Sequence, residues 1–143
     1  TARLLADRVQ REGRTPAVVE NRSGAAGGIG AATAARAAPD GRTVLVSIDT
    51  PFTVNPHLFR DQGFDAVRDL VPVALLNSFP LALLVHPSNP ARDLAGFLAA
   101  ARAQPMFYAS AGIGSPGHLA MEYLRQVTGL PATAFEHVPQ RGN

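Results

Sequence analysis

The chain has 143 residues, 46% hydrophobic and 17% charged, with a formal net charge of +2. That composition suits a globular core rather than disorder, and the charge is too small to call for a nucleic-acid partner. All 13 basic residues are arginine and there is no cysteine. These absences exclude a Walker phosphate loop, a Schiff base, a Tyr-x-x-x-Lys pair, thiol catalysis, disulfides and thiolate metal sites.

Residues 2–11 place Leu4, Leu5 and Val9 on one face and predict an amphipathic helix stopped by Gly13. Residues 16–20 read as a short strand. A glycine-rich turn at 23–30 leads into an alanine-rich helix that ends before Pro39-Asp-Gly41. Residues 43–47 read as a buried strand with a polar exit at Ser47, Asp49 and Thr50, and Asn55-Pro56 opens a helical turn through Phe59. Two further strands are expected at 71–77 and 81–86, divided at Phe79-Pro80. Asp93 caps a helix carrying Leu94, Phe97, Leu98 and Ala101 at helical spacing. A strand at 106–110 feeds a glycine loop and a helix with Ala120, Tyr123, Leu124 and Val127 on one face. That helix stops at Gly129, and 133–138 is a last strand. Alternating strands and helices predict an α/β fold with a mostly parallel sheet flanked by helices.

In such sheets ligands lie beyond the carboxyl ends of the strands, which directs attention to 47–50, 110–115 and 139–142. The segment Tyr108-Ala-Ser-Ala-Gly-Ile-Gly-Ser-Pro-Gly-His-Leu119 carries the strongest signal. Ser115 suits an N-cap and Pro116 the first helical position, and Gly112 and Gly114 let backbone approach a guest closely. Free N–H groups at the positive end of a helix favour a carboxylate or phosphate. His118 then hydrogen-bonds the loop or faces the cleft.

No catalytic residue, cofactor site or metal site emerges. Ser110 and Ser115 do not fit a Gly-x-Ser-x-Gly elbow, the four histidines lack ligand-like spacing, and Asp49 and Glu122 are lone carboxylates. Gly24, Gly28 and Gly30 mimic a dinucleotide turn. Glu20-Asn-Arg-Ser23 separates them from the preceding strand, so a structural turn is the better reading. An oxidoreductase fragment built on the Gly24–Gly30 turn stays open as an alternative, as does a binding lobe that serves a signalling partner.

Several segments together resemble the Bug (TctC-like) family of solute receptors. They are Val18-Val-Glu-Asn-Arg-Ser-Gly-Ala-Ala-Gly-Gly-Ile-Gly30, Ala38-Pro-Asp-Gly41, Asn55-Pro-His-Leu58, Phe64-Asp65 ahead of Asp69-Leu-Val-Pro72, the 108–119 segment, and His137-Val-Pro139 with Gly142. The resemblance implies an extracytoplasmic, periplasmic binding protein of tripartite tricarboxylate transporters, with two lobes of the periplasmic-binding-protein type II. It implies a small carboxylate as ligand and membrane permease subunits as partners, without membrane insertion and without enzymatic activity. Residues 1–139 would be most of the first lobe with its first strand missing. Residues 140–143 would begin the crossover to a second lobe, so the chain is expected to be truncated at both ends. Carried over by position, Ser110, Ala111, Gly112, Gly114 and Ser115 are the leading ligand contacts, with His118 beside them and Ser47, Asp49 and Thr50 next. Gln140-Arg141 departs from the family's Tyr-Lys pair, and Ile113 stands where a small or polar residue is usual.

Overall fold

The computed structural model describes residues 1–13 and 15–140 and divides into two compact units, Thr1–Leu70 and Val71–Asn143. Both carry helices and the second carries a parallel sheet, so the α/β class expected from the sequence is the class observed.

In the first unit, α1 (Ala2–Gly13) forms where expected, but none of its residues is buried and Leu4 is 73% exposed. Its apolar face finds no cover among the described residues. The glycine-rich turn passes through a 3-10 turn at Ala25–Gly27 into α2 (Gly28–Ala35), which buries Gly28, Ala31 and Ala32. The small residues let the backbone pack closely: a Cβ on Gly27 would stand 3.0 Å from the Pro51 ring. Two single-turn helices follow, α3 (Thr50–Thr53) and α4 (Asn55–Leu58). Each has proline in its first turn, where the missing N–H costs nothing. Asn55 is 1% exposed and its Nδ2 donates to Ala25 O at 3.0 Å, tying α4 to the glycine turn.

The second unit is built as α5 (Leu94–Ala103), β1 (Met106–Ser110), α6 (Pro116–Val127) and β2 (Phe135–Pro139). Asp93 caps α5 as expected, its Oδ1 accepting from Gly96 N at 2.8 Å. Gly129 stands at φ +63° just after the end of α6, a conformation that glycine adopts without steric cost. The two strands pair in parallel, with Met106 opposite Phe135 and Ser110 opposite Pro139. Phe97, Ala101, Met121, Leu130, Ala134 and Phe135 form the core, and the Phe97 and Phe135 rings stack with centroids 5.7 Å apart.

Two expectations are corrected here. Among the described residues, the segments 16–20, 43–47, 71–77 and 81–86 have strand-like composition but join no ladder, and the sheet has two strands. A strand exists only through its neighbour, and Val73 and Leu75, each 90% exposed, show how little covers the third of these segments. The buried face of α6 is also different from the one expected. Met121 is buried and Leu124 packs on the core, whereas Tyr123 and Val127 are exposed.

Phe135→Ala in the full-length protein should lower the unfolding free energy by about 3 kcal/mol through the cavity it leaves. Tyr123→Ala should change it by no more than about 0.5 kcal/mol. Urea denaturation followed by circular dichroism measures both.

Candidate functional site

β1 ends at Ser110, whose carbonyl accepts from Gln140 N at 2.9 Å as the chain leaves β2. The chain then turns sharply: Gly112 lies at φ +124° and Gly114 at φ +79°, and Ser115 N donates to Gly112 O at 3.1 Å to close the loop. Side chains at those φ values would strain the backbone, so the glycines are what permit the turn. Ser115 caps α6, its Oγ accepting from His118 N at 3.4 Å, and Pro116 follows in the first turn. Gly114 N donates to His118 Nδ1 at 3.2 Å, so His118 braces the loop that precedes its own helix. Among the described residues, the N–H groups of Ala111, Ile113 and Gly117 have no protein acceptor. Gly117 lies in the first turn of α6 and the other two on the loop leading into it, and free N–H groups at such a helix start suit negative charge.

A chain of hydroxyls runs behind this loop. Ser115 Oγ donates to Ser110 Oγ at 3.1 Å, Gly112 N donates to the same oxygen at 3.3 Å, and Ser110 Oγ lies 2.7 Å from His137 Nε2. Ser115 is 6% exposed, so its hydroxyl is buried and engaged. His137 reaches this position from β2, where it stands opposite Tyr108, and its ring stacks on both Tyr108 (4.8 Å) and His118 (4.4 Å). Burial holds the His137 imidazole below its ordinary pKa, the nearby His118 adds to that, and Glu122 opposes it. Tyr108 is pushed above the ordinary tyrosine value, mainly by burial and then by Glu122, and its hydroxyl is buried without a partner.

The structure therefore brings Ser110, Ala111, Gly112, Gly114, Ser115 and His118 into one loop-and-helix site. It also adds His137, which the sequence reading used only as part of a resemblance. A parallel pairing of 106–110 with 133–138 would have placed it there, but only with the register in hand. Ser47, Asp49 and Thr50 belong to the first unit. There the Asp49 carbonyl accepts from Phe52 N and Thr53 N, and Thr50 is 1% exposed at the start of α3. Arg141 and Gly142 lie outside the described residues.

The glycine turn at 24–30 lacks what a dinucleotide fingerprint needs. Among the described residues no paired strand precedes it, Ala25 and Ala26 take left-handed angles within it, and Gly27 and Gly28 pack against Pro51 and Asn55. A cavity of about 330 Å³ lies beside α2 in the same unit, lined by Ala25, Ile29, Ala32, Asn55 and Phe59 among others. Among the described residues no helix is long and apolar enough to cross a membrane.

A family model described as "Tripartite tricarboxylate transporter family receptor" matches residues 1–143. The chain belongs to this TctC family. Relatives agree with that membership. A UPF0065 protein of Bordetella pertussis is 35% identical over 130 residues, covering 90% of this chain and 39% of that protein. Protein BugT of the same organism is 34% identical, covering 99% of this chain and 44% of its own length. A solved structure described as a periplasmic transporter aligns with a TM-score of 0.76 at 34% identity, over 99% of this chain and 47% of that one. The chain thus spans less than half the length of each of these relatives. TctC is a family of receptors, not of enzymes. Ser110 and His137 accordingly need no nucleophile-and-base reading, despite the 2.7 Å between them, and no carboxylate hydrogen-bonds His137 among the described residues.

The lowered pKa of His137 in this TctC chain has a definite sign for stability. Well above pH 6.5 the ring is neutral in both folded and unfolded states and contributes nothing. As pH falls through that value the unfolded chain takes the proton first, so stability declines until the pH passes below the depressed folded value. The urea midpoint should therefore drop as the pH falls through about 6.5, and His137→Gln should remove part of that drop.

Proposed function

We propose that this TctC chain carries one wall of the ligand site of an extracytoplasmic solute-binding receptor. That receptor captures a small organic carboxylate and hands it to the membrane permease of a tripartite tricarboxylate transporter. The observation that carries the reading is the segment after β1: three N–H groups without a protein acceptor among the described residues, a capped helix start and a turn made by two glycines at positive φ. Such a site holds a carboxylate by directed hydrogen bonds and a helix dipole rather than by a buried cation. No arginine hydrogen-bonds or forms an ion pair with residues 110–118 among the described residues. Neutral donors bind an anion firmly yet leave it free to go, as delivery to a permease requires. Ser110, Ala111, Gly112, Gly114, Ser115 and His118 form or support this wall. Ser47, Asp49 and Thr50 remain further contacts proposed from family resemblance. The periplasm is the compartment in which such a receptor works, and membership of a receptor family together with likeness to a periplasmic transporter supports it.

Titration calorimetry of the full-length protein against succinate, citrate, glutamate, benzoate and NAD tests the proposal. A carboxylate should bind and NAD should not; NAD binding without any carboxylate would reverse the reading. Gly114→Ala puts a side chain at φ +79°, where it strains the loop that holds these donors. It should weaken the bound carboxylate by about 1.5–3 kcal/mol, the usual range for a hydrogen bond to a charged group. Unchanged affinity would place the ligand elsewhere.

A further inference from the structure

The hydroxyl chain behind the glycine loop has a direction, and His137 sets it. Ser110 Oγ has one proton and two lone pairs. With His137 neutral and its Nε2 bare, Ser110 donates to that nitrogen at 2.7 Å, and its lone pairs take Ser115 O–H and Gly112 N–H. Every group is satisfied, and no hydroxyl proton is left for a guest. With Nε2 protonated, the imidazolium must donate to Ser110 instead. Three donors then compete for two lone pairs, so one of Ser115 O–H and Gly112 N–H is set free. The Ser110 proton turns away as well, with Gly112 O at 3.2 Å or a guest as its acceptor.

We propose that His137 is a positioning residue of the anion site, and that filling the site with a carboxylate draws a proton onto His137 Nε2. This rests on the carboxylate reading given above. An anion favours the charged ring by its own charge, and it uses the donors that the charged ring releases.

The neighbours decide which imidazole takes the proton. His118 is the second candidate, but its Nδ1 already accepts from Gly114 N. Protonation there would break the bond that braces the loop, whereas protonation of His137 only reverses one. The other ionisable groups around His137 are known. Tyr108 faces it from β1, and His118 and Glu122 from α6, with Glu122 held by Arg125 at 3.0 Å. Glu136 adjoins it on β2 and is exposed. The one ionisable side chain of α5, Arg102, bonds Thr128 O instead. Glu122 is the anion placed to steady the imidazolium once it forms.

Two measurements on the full-length protein test this. Long-range proton–nitrogen NMR correlations of the histidine rings should show His137 free of ligand near neutral pH with its proton on Nδ1 and Nε2 bare. A proton on Nε2 would overturn the proposal without reference to any ligand. Calorimetry with the tightest binder among succinate, citrate, glutamate and benzoate, run in two buffers of different ionisation enthalpy, should show proton uptake. Affinity should then fall by up to about tenfold per pH unit above neutrality. His137→Gln, which can still accept from Ser110 but cannot charge, should bind with that pH dependence lost. Carboxylate binding without proton uptake overturns this inference alone, and failure of every carboxylate to bind overturns the carboxylate reading with it.

Discussion

The in-register parallel pairing of β1 with β2 is the constraint on which the second unit depends. It sets Tyr108 opposite His137 and Ser110 opposite Pro139. With that register Phe135 reaches the Phe97 ring in the core while His137 reaches the Ser110 hydroxyl at the site. A slip by one residue would turn both to the other face of the sheet, because side chains alternate along a strand. Core and site therefore stand or fall on the same hydrogen bonds. The hydrophobic stack that stabilises the unit also fixes the imidazole behind the glycine loop.

The site is polar but carries little charge. Its free donors are backbone N–H groups, on a loop held by two glycines at positive φ and a serine cap. Such donors need no side-chain ordering when a ligand arrives, which limits the entropic cost of binding. Their strength depends on being oriented beforehand, and that orientation is supplied by bonds running away from the loop, from Ser115 to Ser110 to His137 and from Gly114 to His118. Membership of a receptor family fits this design, since holding and releasing a solute requires no reactive group.

The 24–30 turn shows how far a glycine pattern can mislead. Its spacing copies a phosphate-binding turn, but Gly24 packs against Ile29, Gly28 against Asn55 and Gly30 against Arg22, and among the described residues no paired strand leads into it. The apolar segments at 71–77 and 81–86 teach a related lesson. Their composition is that of strands, yet their side chains stand open and their backbones join no ladder. Local composition reports a tendency toward extended chain, and pairing requires a second segment whose position the first does not encode.

The sequence by itself determined the features that rest on near neighbours. Asp93 and Ser115 as caps, proline in the first turn of α6, Gly129 at its end and the glycine turn after β1 all act over a few residues, so the residue types suffice to predict them. The α/β class was legible from the alternation of segment types, and the family could be read from its motifs. What only the tertiary structure decided was which segments pair, which face of α6 is buried, and that His137 stands 2.7 Å from a hydroxyl 27 residues earlier in the chain. Those outcomes depend on register and packing between distant segments, and no single stretch of sequence contains both partners of such a contact.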